Sequence, residues 1–262
     1  MKLKDKARIE WLGREFYNNH GERAVVINYV TNNEIYIQFD YGDIRKITAS
    51  HLKRGDFTSK YSKTVLNRGY LGEGNYECSV KVGNKYIVTE QYNHWQHMIK
   101  RVYSQKALEK MPTYADCEVC EEWFNYQNFA EWYDNNKWFE GQQFLDKDIL
   151  YKGNKIYSPE NCVLVNNELN LLFLKSQSAR GDLPIGVIWQ KNNHNYVARC
   201  SVEGKGMKHI GVFNSPDDAF YAYKEFKEKH IKEVADRYKR DYPKFPQKLY
   251  EAMYNYRVEI TD

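Results

Sequence analysis

Four side chains in the middle of the chain are of the types that hold a hard cation: Asp146, Asp148, Asn167 and Asn170. Phe144 to Leu150 reads as a strand, and Asp146 and Asp148, two residues apart, then share one face of it. A loop containing Gly153 and a second strand from Tyr157 to Val165 follow. Asn166 to Phe173 then reads as a short helix, with Asn167 and Asn170 on one side at a spacing of three. Leu169, Leu172 and Phe173 take the other side and belong to a core. Two carboxylates and a helix amide converging on one point suit a divalent ion bound through oxygen, with several waters. Such an ion stabilises a scissile phosphate and its leaving oxygen. The competing reading is a surface turn with solvated Asp and Asn side chains.

Three stretches of the chain must position these residues. Residues 1–60 carry short β-type runs, Ala24 to Tyr29 and Glu34 to Phe39, with Asn32-Asn33 as a hairpin turn and Asp40 to Asp43 as the next. Several strands in so short a span predict a small β-barrel-like module, either a binding module or a spacer. Residues 61–91 form a linker or β segment in which Arg68 to Asn75 is glycine-rich. No Lys-Ser/Thr pair follows those glycines, so they are not a phosphate loop. Residues 92–180 hold two helical patterns: Tyr92, Trp95, Met98, Ile99 and Val102, then Trp123, Phe124, Phe129, Trp132 and Tyr133, all expected as core. Residues 184–240 read as three strands and a helix: Gly186 to Gln190, Tyr196 to Val202, Lys208 to Phe213, then Ser215 as N-cap with Pro216 and two Asp in the first turn. Lys224 to Arg240 reads as a charged, solvated helix, and residues 241–262 as a tail. The fold class expected is α+β.

Composition narrows the partners. The net charge of +4 over 262 residues is mildly basic, which permits a nucleic-acid partner without demanding one. No apolar run approaches a membrane span, and Met1 to Arg14 lacks the apolar stretch of a signal peptide. The five scattered cysteines suggest reduced thiols and a cytoplasmic setting. Cys117-x-x-Cys120 has Cys162 as its one obvious further ligand, short of the four that structural zinc takes, so zinc is not expected.

The central segment resembles the HNH, or His-Me finger, endonucleases of the ββα-metal type, in their phage and homing branch. The likeness rests on the Leu145-Asp146-Lys147-Asp148 strand and the Tyr157-Ser158-Pro159-Glu160-Asn161-Cys162 turn. Upstream, Tyr92-Asn93-His94-Trp95-Gln96-His97-Met98 with Arg101 and Tyr103, and Pro112 to Cys117 leading to Trp123, carry it further. The resemblance implies a ββα-metal finger with flanking helices. It makes Asp146 the first metal ligand, Asn161 the residue that orients the base, and Asn170 the residue that completes the metal site. The chain departs from the family at the residue after the first Asp. Where the family has a histidine base, Lys147 stands, and a lysine protonated near pH 7 is a poor base. Asp148 could serve, or a histidine from elsewhere such as His94 or His97, or the site is inactive.

The stretch from Gly186 to Tyr238 resembles the DNA-binding domain of plant ethylene-response transcription factors. The matching residues are Gly186-Val187-x-Trp189, Tyr196-x-Ala198-Arg199, Gly211-x-Phe213 and Ala219-x-x-Ala222-Tyr223. In that family the sheet lies in the major groove, which implies Trp189, Lys191, Tyr196, Arg199, Lys205 and Lys208 as DNA contacts, with Arg199 the best base reader. Together the two resemblances imply a metal-dependent DNA endonuclease of phage or mobile-element type. It would nick or cut duplex DNA with Mg2+ or Mn2+, using Asp146, Lys147, Asp148 and Asn161 as the catalytic set and Asp146, Asp148 and Asn170 at the metal, with the C-terminal sheet selecting the site. A catalytically silent DNA-binding regulator is the first alternative. The second is a protein-binding inhibitor of a host nuclease or defence system, which the acidic patch from Asp116 to Glu122 leaves open. A protein partner or a homodimer is compatible with each.

Overall fold

The computed structural model describes residues 8–174, 181–204 and 206–262. The chain divides into two compact units, Met1–Trp132 and Tyr133–Asp262. The division falls inside the 92–180 stretch, so the helical patterns before the finger and the finger itself lie in different units. The fold is α+β, with several small antiparallel sheets and no closed barrel.

In the first unit, β1 (Glu15–Tyr17), β2 (Arg23–Thr31), β3 (Glu34–Phe39) and β4 (Ile44–Ile47) form an open four-stranded sheet in sequence order. The expected barrel-like module is therefore a meander that does not close on itself. Alternation supplies its core: Ala24 and Val26 on β2, and Ile35, Ile37 and Phe39 on β3, are buried with Trp11, Leu52 and Phe57. Helix α1 (Ala49–Arg54) follows, capped by the Thr48 side chain and ended by Gly55 at φ 69°.

The glycine-rich run from Arg68 to Asn75 is packed, not a tether. A Cβ at Gly69 would lie 2.7 Å from the Ile99 side chain, and one at Gly72 would lie 1.9 Å from Asn125. A hairpin of β5 (Ser79–Val82) and β6 (Lys85–Val88) leads to α2 (Glu90–Tyr103) and α3 (Gln105–Lys110). On α2, Trp95, Met98, Ile99 and Val102 form the buried face that their spacing predicts, and the Trp95 indole donates to the Trp123 carbonyl at 2.7 Å. The short β7 (Glu118–Val119) comes next. The second helical pattern begins as a 3-10 turn over Glu121–Phe124 and becomes α4 only at Tyr126–Asn135.

In the second unit, β8 (Phe144–Asp146) runs antiparallel to β10 (Val163–Val165), with the short β9 (Ile156–Tyr157) between them in sequence and α5 (Asn167–Leu172) after them. Asn166 caps α5 by accepting from the Leu169 N–H at 3.0 Å. β11 (Val187–Gln190), β12 (Asn195–Val202) and β13 (Gly206–Phe213) form a three-stranded antiparallel sheet. Helix α6 (Pro216–Asp241) is 26 residues long, and α7 (Gln247–Tyr254) returns along it.

Helix α6 organises this unit. Ser215 accepts from the Asp218 N–H at 3.1 Å, with Pro216 opening the helix and Asp217 and Asp218 in its first turn, as the sequence predicts. The first half of α6 places Ala219, Phe220 and Tyr223 against Val187, Ala198 and Cys200 of the sheet. Its second half places Ile231, Val234, Ala235 and Tyr238 against Val163, Val165, Leu169 and Leu172 of the finger. The Lys224–Arg240 stretch expected to be solvated therefore has one buried stripe. Finger and sheet share one rigid rod, roughly 39 Å long at 1.5 Å per residue.

Candidate functional site

The finger has the expected strand, loop, strand, helix order, but its polar side chains are engaged with one another. β8 ends at Asp146. Asp148 lies beyond the strand, so it does not share a strand face with Asp146. Asp146 Oδ1 accepts from the N–H groups of Asp148 and Ile149, both at 2.7 Å, and this pair of hydrogen bonds turns the chain out of the strand. Burial raises the Asp146 pKa above its ordinary value. The two backbone donors and the Lys147 charge act the other way, and the Asp148 charge adds to the rise.

Lys147 is 6% exposed. Its ammonium donates to Asp148 Oδ2 and to the Asn154 carbonyl, both at 2.8 Å. As an ammonium donating to a carboxylate and a carbonyl, it has no lone pair to offer water. The residue is therefore a cross-link across the loop.

Asn154, which sequence reasoning did not single out, is the hub of that loop. Its Nδ2 donates to the carbonyls of Lys147 at 2.9 Å and Ile156 at 2.8 Å. Its Oδ1 accepts from the Ile156 N–H and from Asn161 Nδ2, both at 3.2 Å. Asn161, expected to orient the base, thus donates to the Asn154 side chain of the loop. The only sequence signal for Asn154 is its place directly after Gly153, which turns the chain at φ 79°.

The Asn170 side chain, half-buried on α5, makes no hydrogen bond among the described residues. The adjacent Glu168 is instead bound to α6, accepting from Tyr238 Oη at 2.5 Å and pairing with Arg237. His94 and His97, the alternative bases, lie on α2 in the other unit. Oxygen donors remaining for a cation are thus Asp146 Oδ2 and the Asn170 amide, with Asp148 drawn toward Lys147. With Asp148 held by the Lys147 ammonium, these side chains offer a hard dication far fewer oxygens than the roughly six or more it takes, so they fit such an ion poorly without several waters.

The sheet divides its residues cleanly by register. Val187, Ala198 and Gly211 form one cross-strand row, and Trp189, Tyr196 and Phe213 another of the same parity. Val187, Ala198 and Cys200 are in the core against α6, with Tyr196, Ile210 and Phe213 packed beside them. Trp189 and Tyr196 therefore belong to the helix-facing side, where their rings lie 4.8 Å apart. Trp189 keeps 40% of its surface because it stands at the rim of an edge strand. Lys208 pairs with Cys200 and has the same facing.

The opposite face carries Gln190 beside Asn195, the row Ile188–Val197–Val212, then Arg199 beside His209 and Ser201 beside Met207. A bulge after Ala198 sets the last two pairs. Of the six expected DNA contacts, Arg199 is on this face. Lys191 is exposed in the turn after β11, and Lys205 lies outside the described residues. Gln190, Asn195, Ser201 and His209 were passed over, although their parity relative to the apolar Val187 and Ala198 places them there.

Compared with protein-family models, curated proteins and solved structures, the chain matches none. Among the described residues, no helix is long and apolar enough to cross a membrane.

Proposed function

We propose that this chain binds duplex DNA through the open face of the β11–β13 sheet, and that its ββα finger is a non-cleaving framework. The observation that carries the reading is the register, which gathers Arg199, Gln190, Asn195, Ser201 and His209 on one face while α6 covers the other. A twisted antiparallel ribbon fits the major groove, and these side chains supply the donors and acceptors that base edges recognise. Lys191, exposed in the turn beside the face, is placed for a phosphate. The buried, doubly committed Lys147 supports the second half of the proposal, because the position that would need to take a proton holds a fixed cation. Titration of a labelled duplex at low and moderate salt tests the reading. Salt-sensitive binding that weakens in Arg199→Ala supports it, and binding indifferent to that substitution counts against it.

A second reading, the metal-dependent endonuclease, is favoured by Asp146. It stands at the end of the first finger strand with one carboxylate oxygen uncommitted among the described residues. Plasmid nicking that requires Mg2+ or Mn2+ and is lost in Asp146→Ala would select this reading over the silent one.

A further inference from the structure

The residues on the open face also bear on which sequence is read. Gln190 and Asn195 are directly opposed at the hairpin end of β11 and β12. Side-chain amides of this kind make paired hydrogen bonds to the N6 and N7 edge of adenine. Ile188, Val197 and Val212 form an apolar row across all three strands, and Met207 continues it along β13. Val197, in the middle of the row, is buried at 4% exposure, whereas Val212 is 52% exposed and Met207 61% exposed, so the β13 side of the stripe is what faces outward. In the major groove the apolar partner for such side chains is the thymine methyl group. Guanine is recognised by Arg or Lys forks, and among the described residues of this face Arg199 is the one such side chain. The Asn195 Oδ1 is covered and has no hydrogen-bond partner among the described residues. A rotation of that amide toward an adenine amino group would satisfy it.

We infer, on the basis of the DNA-binding reading above, that this sheet recognises A·T-rich duplex DNA. Gln190 and Asn195 pair with adenine, Ile188, Val212 and Met207 contact thymine methyls over the buried Val197, and Arg199 reads one guanine or holds a phosphate at the margin.

The test is fluorescence anisotropy of the full chain with A·T-rich and G·C-rich duplexes of equal length at one salt concentration, and with the A·T-rich duplex carrying deoxyuridine for thymidine. The expected result is A·T-rich binding about tenfold tighter or more, from one or two amide–adenine pairs. Removing the thymine methyls should weaken binding several-fold. Gln190→Ala, at the exposed hairpin end, should weaken A·T-rich binding more than G·C-rich binding and so shrink the preference. Equal affinity for the two duplexes, a G·C preference, or indifference to deoxyuridine overturns the inference and leaves the DNA-binding reading standing. Failure to bind any duplex at low salt overturns both.

Discussion

Replacing Lys147 separates its role as a cross-link from any role in chemistry. Lys147→Met keeps most of the buried stem and removes the ammonium. A hydrogen bond from a charged donor contributes roughly 1.5–3 kcal/mol. The Asp148 side chain is 52% exposed, so that partner is discounted toward the small value of an exposed pair. The bond to the Asn154 carbonyl remains, offset in part by relief of the buried charge. The expected cost of Lys147→Met is about 1–2 kcal/mol. Lys147→Ala also deletes three buried methylenes at roughly 0.8 kcal/mol each, for a total of about 3–4 kcal/mol. Urea unfolding of the full chain reads the difference, with the Met variant lowering the midpoint by roughly 0.5–1 M. Duplex affinity of the folded Met variant should be unchanged. A Met variant as stable as the parent, together with loss of a metal-dependent nicking activity, would refute the reasoning and make Lys147 a participant in cleavage.

Further expectations follow from other parts of the second unit. Gly186 sits at φ 76° with the Tyr223 ring 2.1 Å from where a Cβ would stand, so Gly186→Ala should destabilise by about 1–3 kcal/mol, read by thermal melting. Burial pushes the Glu228 pKa up, but Lys224, the Val258 N–H and Arg257 outweigh that and hold it below its ordinary value. A depressed folded-state pKa contributes stability above the unfolded value and loses it as pH falls through the folded value. Glu228→Gln should therefore destabilise at neutral pH and have little effect near the acid limit, checked by melting at several pH values. Arg199→Ala should weaken duplex binding about tenfold, whereas Trp189→Ala, on the helix-facing side, should change it less than about threefold in the same anisotropy assay.

Much of the second unit was legible because its signals are local. Ser215, Pro216 and the two Asp announce the start of α6, and the turn at Asn192 to His194 separates β11 from β12. Facing was harder to read. A shift of one residue moves a strand's side chains to the other face, and aromatic character drew attention to Trp189 and Tyr196 although they share parity with the core residues Val187 and Ala198. The full packing of α6 was hidden because Ile231, Val234, Ala235 and Tyr238 are spaced among charged residues. Lys147 could not be read as buried, since lysine is rarely buried without partners, and those partners, Asp148 and the Asn154 carbonyl, meet only when the loop folds back. The barrel expected near the N-terminus rested on strand number alone, which does not distinguish a closed sheet from the open meander that forms.

The measurement that bears most directly on the central claim combines binding and cleavage in one experiment. The full chain and Arg199→Ala are incubated with labelled supercoiled plasmid and short duplex, with magnesium, manganese or chelator. The account predicts salt-sensitive binding by the parent chain, weakened in Arg199→Ala, and plasmid that stays supercoiled in every condition. Metal-dependent nicking would contradict the silent finger, and binding unaffected by Arg199→Ala would contradict the sheet as the reading surface.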